Sequence, residues 1–283
     1  MKVLITGANG QLGRELTKQY KEKSNVELIL TDVVDLDITD VKAVYEFVNN
    51  HRPEVIINCA AHTAVDKCET DVDMAYKINT VGPKNLAAAA NAIGAEIVQV
   101  STDYVFDGEG DKQLTEFDKV NPQTVYGKTK LEGEKFVEKL NPKHYIVRTA
   151  WLYGDGNNFV KTMIKLSETN KTLKVVDDQR GTPTSTVDLS RVIIKLVENK
   201  NYGLFHCTCK GECTWYDLTK EIFRIKGIDI EVVPCTTEEF PRPAKRPKYS
   251  TLRNYMLELT IGDITREWEE SLEEYLKKIS NRS

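Results

Sequence analysis

At 283 residues, 40% hydrophobic and 29% charged, the chain has the size of one large α/β domain or of a main domain with a smaller appendage, and its composition excludes a disordered or fibrous chain. The formal net charge of −4 gives no case for a nucleic-acid partner, so an anionic ligand must be met locally, by backbone amides or a few placed cations. No apolar run reaches the ~18 residues of a membrane span, no signal peptide is expected, and the six cysteines are expected to be reduced thiols in a cytoplasm.

Residues 2–6, KVLIT, read as a buried strand, and a helical pattern runs from Gln11 to about Tyr20. Between them Gly7, Gly10 and Gly13 form a GxxGxxG turn. The first glycine permits a tight strand-to-helix turn, the second lets a pyrophosphate approach the backbone, and the third allows close helix-on-strand packing. A second strand, Val26 to Leu30, ends at Thr31 and Asp32, where an acidic side chain accepts from a ribose 2′-hydroxyl and favours NAD. A helix from Val41 to Asn50 follows, with Thr39 or Asp40 as N-cap, then a strand from Val55 to Asn58 and the small-residue loop Ala60 to Asp66. One long helix is predicted from about Asp73 to Ile93, capped by Gly94, before a fourth strand from Glu96 to Val100.

Near-continuous Val/Ile strands alternating with helices predict a Rossmann-like doubly wound parallel sheet. Right-handed crossovers then gather the carboxyl ends of the strands, and with them Gly7 to Gly13, Asp32, Ala60 to Asp66 and Ser101 to Asp103, on one edge. VYGKTKLEGE, residues 125–134, reads as the start of a helix that puts Tyr126 and Lys130 on one face. A tyrosine with an ordinary pKa of about 10 exchanges protons poorly near neutrality, and the lysine is expected to bring it down. Thr102 offers a hydroxyl beside that pair. Taken singly, YxxxK belongs more often to a surface helix, and Thr102 suits a strand-end turn about equally well.

From Trp151 the alternation becomes irregular. Helices are predicted at 157–168, 187–198 and from Thr214, with strands at 173–176, 204–207 and 230–233. Arg180, in the polar loop DDQRGTPTS, is a candidate for a substrate phosphate. The basic, proline-rich segment 241–254 either borders a nucleotide-sugar pyrophosphate or straps the small lobe as a linker. A last helix, about 265–279, packs one face through Trp268, Leu272, Tyr275 and Leu276. Cys207 and Cys209 fall on one face of a predicted strand, so with Cys213 they are read as core packing in preference to a metal site. Residues 1–150 are expected to form the dinucleotide lobe, rejoined by about 185–207, and residues 151–283 a smaller α/β substrate lobe.

TGANGQLG, AAHTAVDKCE, STDYVFDG, VYGKTKLEGE, RTAWLYG, GTPTS and RPKYSTL together resemble the extended short-chain dehydrogenase/reductase superfamily, and within it the dTDP-4-dehydrorhamnose reductase family. The resemblance implies reduction of the 4-keto group of dTDP-6-deoxy-L-lyxo-4-hexulose to dTDP-L-rhamnose with NADPH or NADH. It implies Tyr126 as proton donor, Lys130 holding the nicotinamide ribose, and Thr102 as the third catalytic hydroxyl. Gly7, Gly10, Gln11, Leu12 and Gly13 would cradle the cofactor pyrophosphate, Asp37 and Ile38 would lie near the adenine, and Ala61, His62 and Thr63 would line the cofactor. Val65, Asp103 and Trp151 would face the deoxysugar. Some members hold magnesium with glutamates at a homodimer interface; no acidic cluster in this sequence supports the ion, and a homodimer stays open. A dehydratase is disfavoured because Asp103 is followed by Tyr104 instead of glutamate, and an epimerase because Gln11 and Leu12 replace an aromatic and an isoleucine. A reductase of another nucleotide-linked 4-keto sugar, and a non-catalytic subunit resembling the regulatory subunit of methionine adenosyltransferase, stay open as alternatives.

Overall fold

A computed structural model describes residues 1–280; the last three residues of the expected substrate lobe lie outside the described residues. The long strands are β1 (Lys2–Thr6), β2 (Glu27–Thr31), β3 (Val55–Asn58), β4 (Glu96–Thr102), β5 (His144–Thr149), β6 (Thr172–Val176), β7 (Gly203–His206) and β8 (Glu231–Cys235). The long helices are α1 (Gln11–Lys21), α2 (Val41–His51), α3 (Gly82–Ala92), α4 (Val125–Leu140), α5 (Phe159–Ser167), α6 (Thr186–Asn199), α7 (Trp215–Lys226) and α8 (Trp268–Ser280).

Alternation along the strands decides the layering. In β1, Val3 and Ile5 face one core with Ile57, Val98 and Tyr145, under α1 and α6, whereas Leu4 faces another with Ile56, Ile97 and Ile146, under α2, α3 and α4. Both faces are apolar, so these strands can exist only with helices on each side. Six parallel strands form the sheet in the order β7-β5-β4-β3-β1-β2, a mixed α/β Rossmann-type arrangement. Its carboxyl edge carries the ends of β1, β2, β3 and β4. A third core, with Leu173, Ile222, Phe223, Trp268 and Leu272, belongs to the C-terminal elements, where β6 pairs with β8.

Several expectations need correction. The long helix predicted over 73–93 runs without a gap from Val72 to Ala92 but passes through a π-helical turn at Lys77–Val81 between Val72–Tyr76 and α3. Pro83 has no N–H to give the carbonyl four residues back, which disrupts the α register there. The sequence pattern does not set β5 apart, because HYIVRT ends in polar residues; its Arg148 and Thr149 are nonetheless buried. The strand β4 runs on to Thr102, so Ser101 and Thr102 lie in the ladder opposite Arg148 and Thr149. Because β7 ends at His206, Cys207 and Cys209 do not share a strand face: Cys207 packs in the sheet core, and Cys209 with Cys213 in the C-terminal core.

Ile57 is wholly buried at the centre of the sheet. Ile57→Ala is expected to lower the free energy of unfolding by about 2–5 kcal/mol in urea titrations, against less than about 0.5 kcal/mol for Val33→Ala on the surface.

Candidate active site

The glycine turn is shaped by contact. Gly7 has φ +63°, and a Cβ there would lie 2.7 Å from the Ala60 nitrogen; one on Gly13 would lie 2.5 Å from the Gly7 oxygen. Gly10 is the N-cap of α1 and makes no side-chain cap bond, which leaves first-turn amides and the positive end of the helix dipole for an anion. A dinucleotide diphosphate fits such a cradle. Leu12 is buried in the sheet core. The Gln11 side chain turns the other way, its Oε1 accepting from the Gly154 amide at 2.9 Å and Asn158 Nδ2 at 3.1 Å.

Asp32 lies across the turn, accepting from the Asn9 amide at 3.2 Å and the Val33 amide at 2.9 Å. Asp37 is exposed and accepts from the Thr39 amide, whereas Ile38 is buried in the core against α3. Ala61 and His62 are half-buried and Thr63 is exposed in the loop after β3. That loop is pinned from the π-helical turn: Asn79 accepts from the His62 amide at 2.8 Å and donates to its carbonyl at 3.1 Å.

Tyr126 sits in the first turn of α4, which Thr124 caps by accepting from the Gly127 amide. Val65, Cys68 and Ala75 pack around it, and the Tyr104 ring meets it edge-on at 5.5 Å. Thr102 donates to Asp103 Oδ1 at 2.9 Å, and its oxygen accepts from the Tyr104 amide.

The electrostatics differ from the sequence expectation. Burial pushes the Tyr126 phenol well above its ordinary pKa, and the opposing influence is a hydrogen bond with Thr102. Lys130 instead reaches back to β4, its Nζ donating to the Val100 carbonyl at 2.6 Å. Burial lowers its pKa to about 8, offset by Glu134 and Cys59. Sharing a helix face does not bring two side chains together when the longer one finds a strand-end carbonyl. Burial also raises Asp103 to about 6, opposed by hydrogen bonds with Ser250 and Thr102.

Beyond this cluster lies a cavity of about 460 Å³ lined by Asp66, Tyr104, Trp151, Trp215, Arg242 and Arg246, among others. Trp151 takes φ +46°, a costly backbone conformation for a bulky residue, and its indole stacks on Trp215 at 3.4 Å with a 7° interplanar angle. Arg246 Nη2 pairs with Asp66 Oδ2 at 2.7 Å, while its buried Nη1 has no hydrogen-bond partner among the described residues. Arg180 is not among the lining residues; its Nη1 stands 3.5 Å from Glu212 Oε1. Sequence reasoning finds the basic segment around Arg246 without singling that residue out, and misses Tyr104 and Trp215. The signal for Trp215 is slight, an aromatic directly after a predicted helix cap.

This meeting of a dinucleotide cradle with Tyr126, Thr102 and, on the same helix as the tyrosine, Lys130 at one sheet edge defines the class, an extended short-chain dehydrogenase/reductase. The model described as the RmlD substrate binding domain matches residues 1–281. Over 99% of this chain and 98% of the relative, the sequence is 41% identical to the spore coat polysaccharide biosynthesis protein SpsK of Bacillus subtilis. A crystal structure of a dTDP-4-dehydrorhamnose reductase from Clostridium acetobutylicum is 72% identical, with a TM-score of 0.98 over 99% of this chain and 100% of that one. That of the Bacillus anthracis dTDP-4-dehydrorhamnose reductase, in complex with NADP, is 43% identical with a TM-score of 0.95 over 98% and 99% of the two chains. The chain belongs to the dTDP-4-dehydrorhamnose reductase family.

The raised Asp103 pKa makes stability depend on pH. The folded state holds this proton up to about pH 6, whereas the unfolded chain releases it near 4, so the stability contribution falls as pH rises between them and the full cost remains above. Asp103→Asn is therefore expected to gain about 2 kcal/mol relative to the wild type on going from pH 4 to pH 7, read as the difference between two urea-unfolding series.

Proposed function

We infer that the chain is an NAD(P)H-dependent reductase that converts dTDP-6-deoxy-L-lyxo-4-hexulose to dTDP-L-rhamnose. Tyr126 carries the reading. Its phenol is protonated at neutral pH and burial raises its pKa further, which suits a group that gives a proton only when a stronger base forms beside it. Bound NAD(P)H supplies hydride to C4 of the sugar. The oxygen at C4 then gains negative charge and takes the proton from Tyr126. Thr102 stands beside the phenol and opposes the effect of burial on its pKa, and the Lys130 cation on the same helix supports that transfer.

In this reading the cofactor is held by Gly7, Gly10, Gln11, Leu12, Gly13, Asp32, Ala61, His62, Thr63, Tyr126 and Lys130, with residues 1–150, rejoined by about 185–207, as its lobe and the rest of 151–283 as the substrate lobe. Asp37 stands near the adenine; Ile38, buried as it is, supports that wall from beneath. Val65, Asp103 and Trp151 face the deoxysugar. For its diphosphate, Arg246 and Arg242 replace Arg180, because they line the cavity and Arg180 faces Glu212. The substrate partner is thus a nucleotide sugar. A cytoplasmic enzyme accords with six unpaired cysteines, and among the described residues no helix is long and apolar enough to cross a membrane. Whether it works as a homodimer is read by size-exclusion chromatography with light scattering.

Freshly prepared keto sugar given to the purified protein is expected to oxidise NADPH or NADH, and Tyr126→Phe to lower kcat by about 10²–10⁴-fold while cofactor binding persists. Tight cofactor binding without turnover on this sugar or its close relatives would sink the reading in favour of a regulatory subunit. Arg246→Ala is expected to raise KM for the nucleotide sugar by roughly tenfold or more, the value of a charged hydrogen bond, with a smaller change in kcat. An unchanged KM would remove Arg246 from the diphosphate site.

A further inference from the structure

The strap that carries Arg242 and Arg246 over the cavity is tied down by ion pairs of two kinds. Lys245 and Glu109 are each about half exposed, so their pair contributes little. Arg246 is held more closely. Its Nη2 donates to Asp66 Oδ2 at 2.7 Å, and the Ala244 amide donates to Asp66 Oδ1 at 3.1 Å. One carboxylate thus grips both the backbone and the guanidinium of the strap, and a planar guanidinium held at one edge keeps its other edge in a set direction. That other edge carries Nη1, which is buried without a hydrogen-bond partner among the described residues.

Asp66 is in turn fixed to the helix that carries the proton donor. It lies in the short helix Val65–Cys68, and Cys68 packs against Tyr126. The next residue, Glu69, accepts from the Val125 amide at 2.9 Å, directly before Tyr126. Arg246 is therefore referenced to Tyr126 through Asp66, although it arrives from a segment remote in sequence. Charge alone gives no reason for this arrangement. A carboxylate beside the guanidinium offsets its charge and repels a bound diphosphate, so what Asp66 contributes is direction.

We propose that Asp66 is a positioning residue for the nucleotide sugar: it aims Arg246 at the diphosphate and so sets where the sugar falls relative to the Tyr126 phenol. The assignment rests on the reading of Arg246 as a diphosphate ligand. Its test turns on a sign. Removal of a negative charge near an anion site tightens anion binding if charge governs, and loosens it if aim governs. The measurements are calorimetric binding of thymidine 5′-diphosphate and steady-state kinetics on the keto sugar. They compare the wild type, Asp66→Asn, Asp66→Glu, Arg246→Ala and the double variant Asp66→Asn/Arg246→Ala.

Asp66→Asn is expected to weaken thymidine 5′-diphosphate by about tenfold and to raise KM for the keto sugar in step, with a smaller change in kcat and cofactor KM within about twofold. Asp66→Glu, which keeps the charge and displaces the carboxylate, is expected to fall between Asp66→Asn and the wild type. In the Arg246→Ala background Asp66→Asn is expected to cost nothing, because the side chain it aims is gone. Tighter or unchanged diphosphate binding in Asp66→Asn, or the same loss in both backgrounds, would overturn the assignment while leaving Arg246 at the diphosphate. An unchanged KM in Arg246→Ala would bring down that reading and the role of Asp66 with it.

Discussion

Glu134 and Arg148 face each other where α4 meets β4 and β5, each with about 5% or less of its side chain exposed. Arg148 donates to the carboxylate through Nε at 3.0 Å and Nη2 at 2.7 Å, Ser101 donates to the same carboxylate, and the guanidinium lies over the Phe106 ring at 5.3 Å. Removing one partner of such a pair strands a charge in the core, typically at about 3–5 kcal/mol. Its position matters more than its strength. Ser101 directly precedes Thr102, and Glu134 lies one helical turn beyond Lys130, so this contact fixes the strand end and the helix that together carry the three catalytic candidates. No periodicity argument reaches a pair of this kind.

Desolvation rules the chemistry around that junction. It raises Tyr126, raises Asp103 and lowers Lys130, in each case towards the neutral form. Simple proximity of a lysine to a tyrosine would have given a partly ionised phenol. The folded cleft instead keeps the phenol as a donor, and Thr102 is the group that eases its ionisation. A site that suppresses standing charge responds strongly when charge appears on a bound ligand, because the surrounding dielectric is low.

The C-terminal elements are held to the sheet edge by contacts that originate in the glycine turn. Gln11 binds Gly154 and Asn158; Asn158 also caps α5, and Tyr275 from α8 donates to the Gly154 carbonyl. On the opposite side the basic strap is tied down through the Ala244 amide and Arg246 to Asp66, and through the Lys248 and Tyr249 amides to the Gly108 carbonyl. The walls of the cavity are thus anchored to the loops at the sheet edge, and the strap is a fastening and a cavity wall at once.

Much was legible in the sequence because it is encoded over short spans. The glycine turn, the apolar strands β1 to β4, the Asp40 cap and the single helix face shared by Tyr126 and Lys130 all follow from residues within a few positions of one another. The exceptions have local causes: Pro83 interrupts an otherwise helical pattern, and polar Arg148 and Thr149 disguise β5. What the tertiary structure alone decided is which partner each long polar side chain takes. Lys130 chose the Val100 carbonyl, Arg180 chose Glu212, and Arg246 chose Asp66 across 180 residues of chain. Those choices turn on desolvation and on distances between segments remote in sequence, and neither quantity exists until the chain has closed its core.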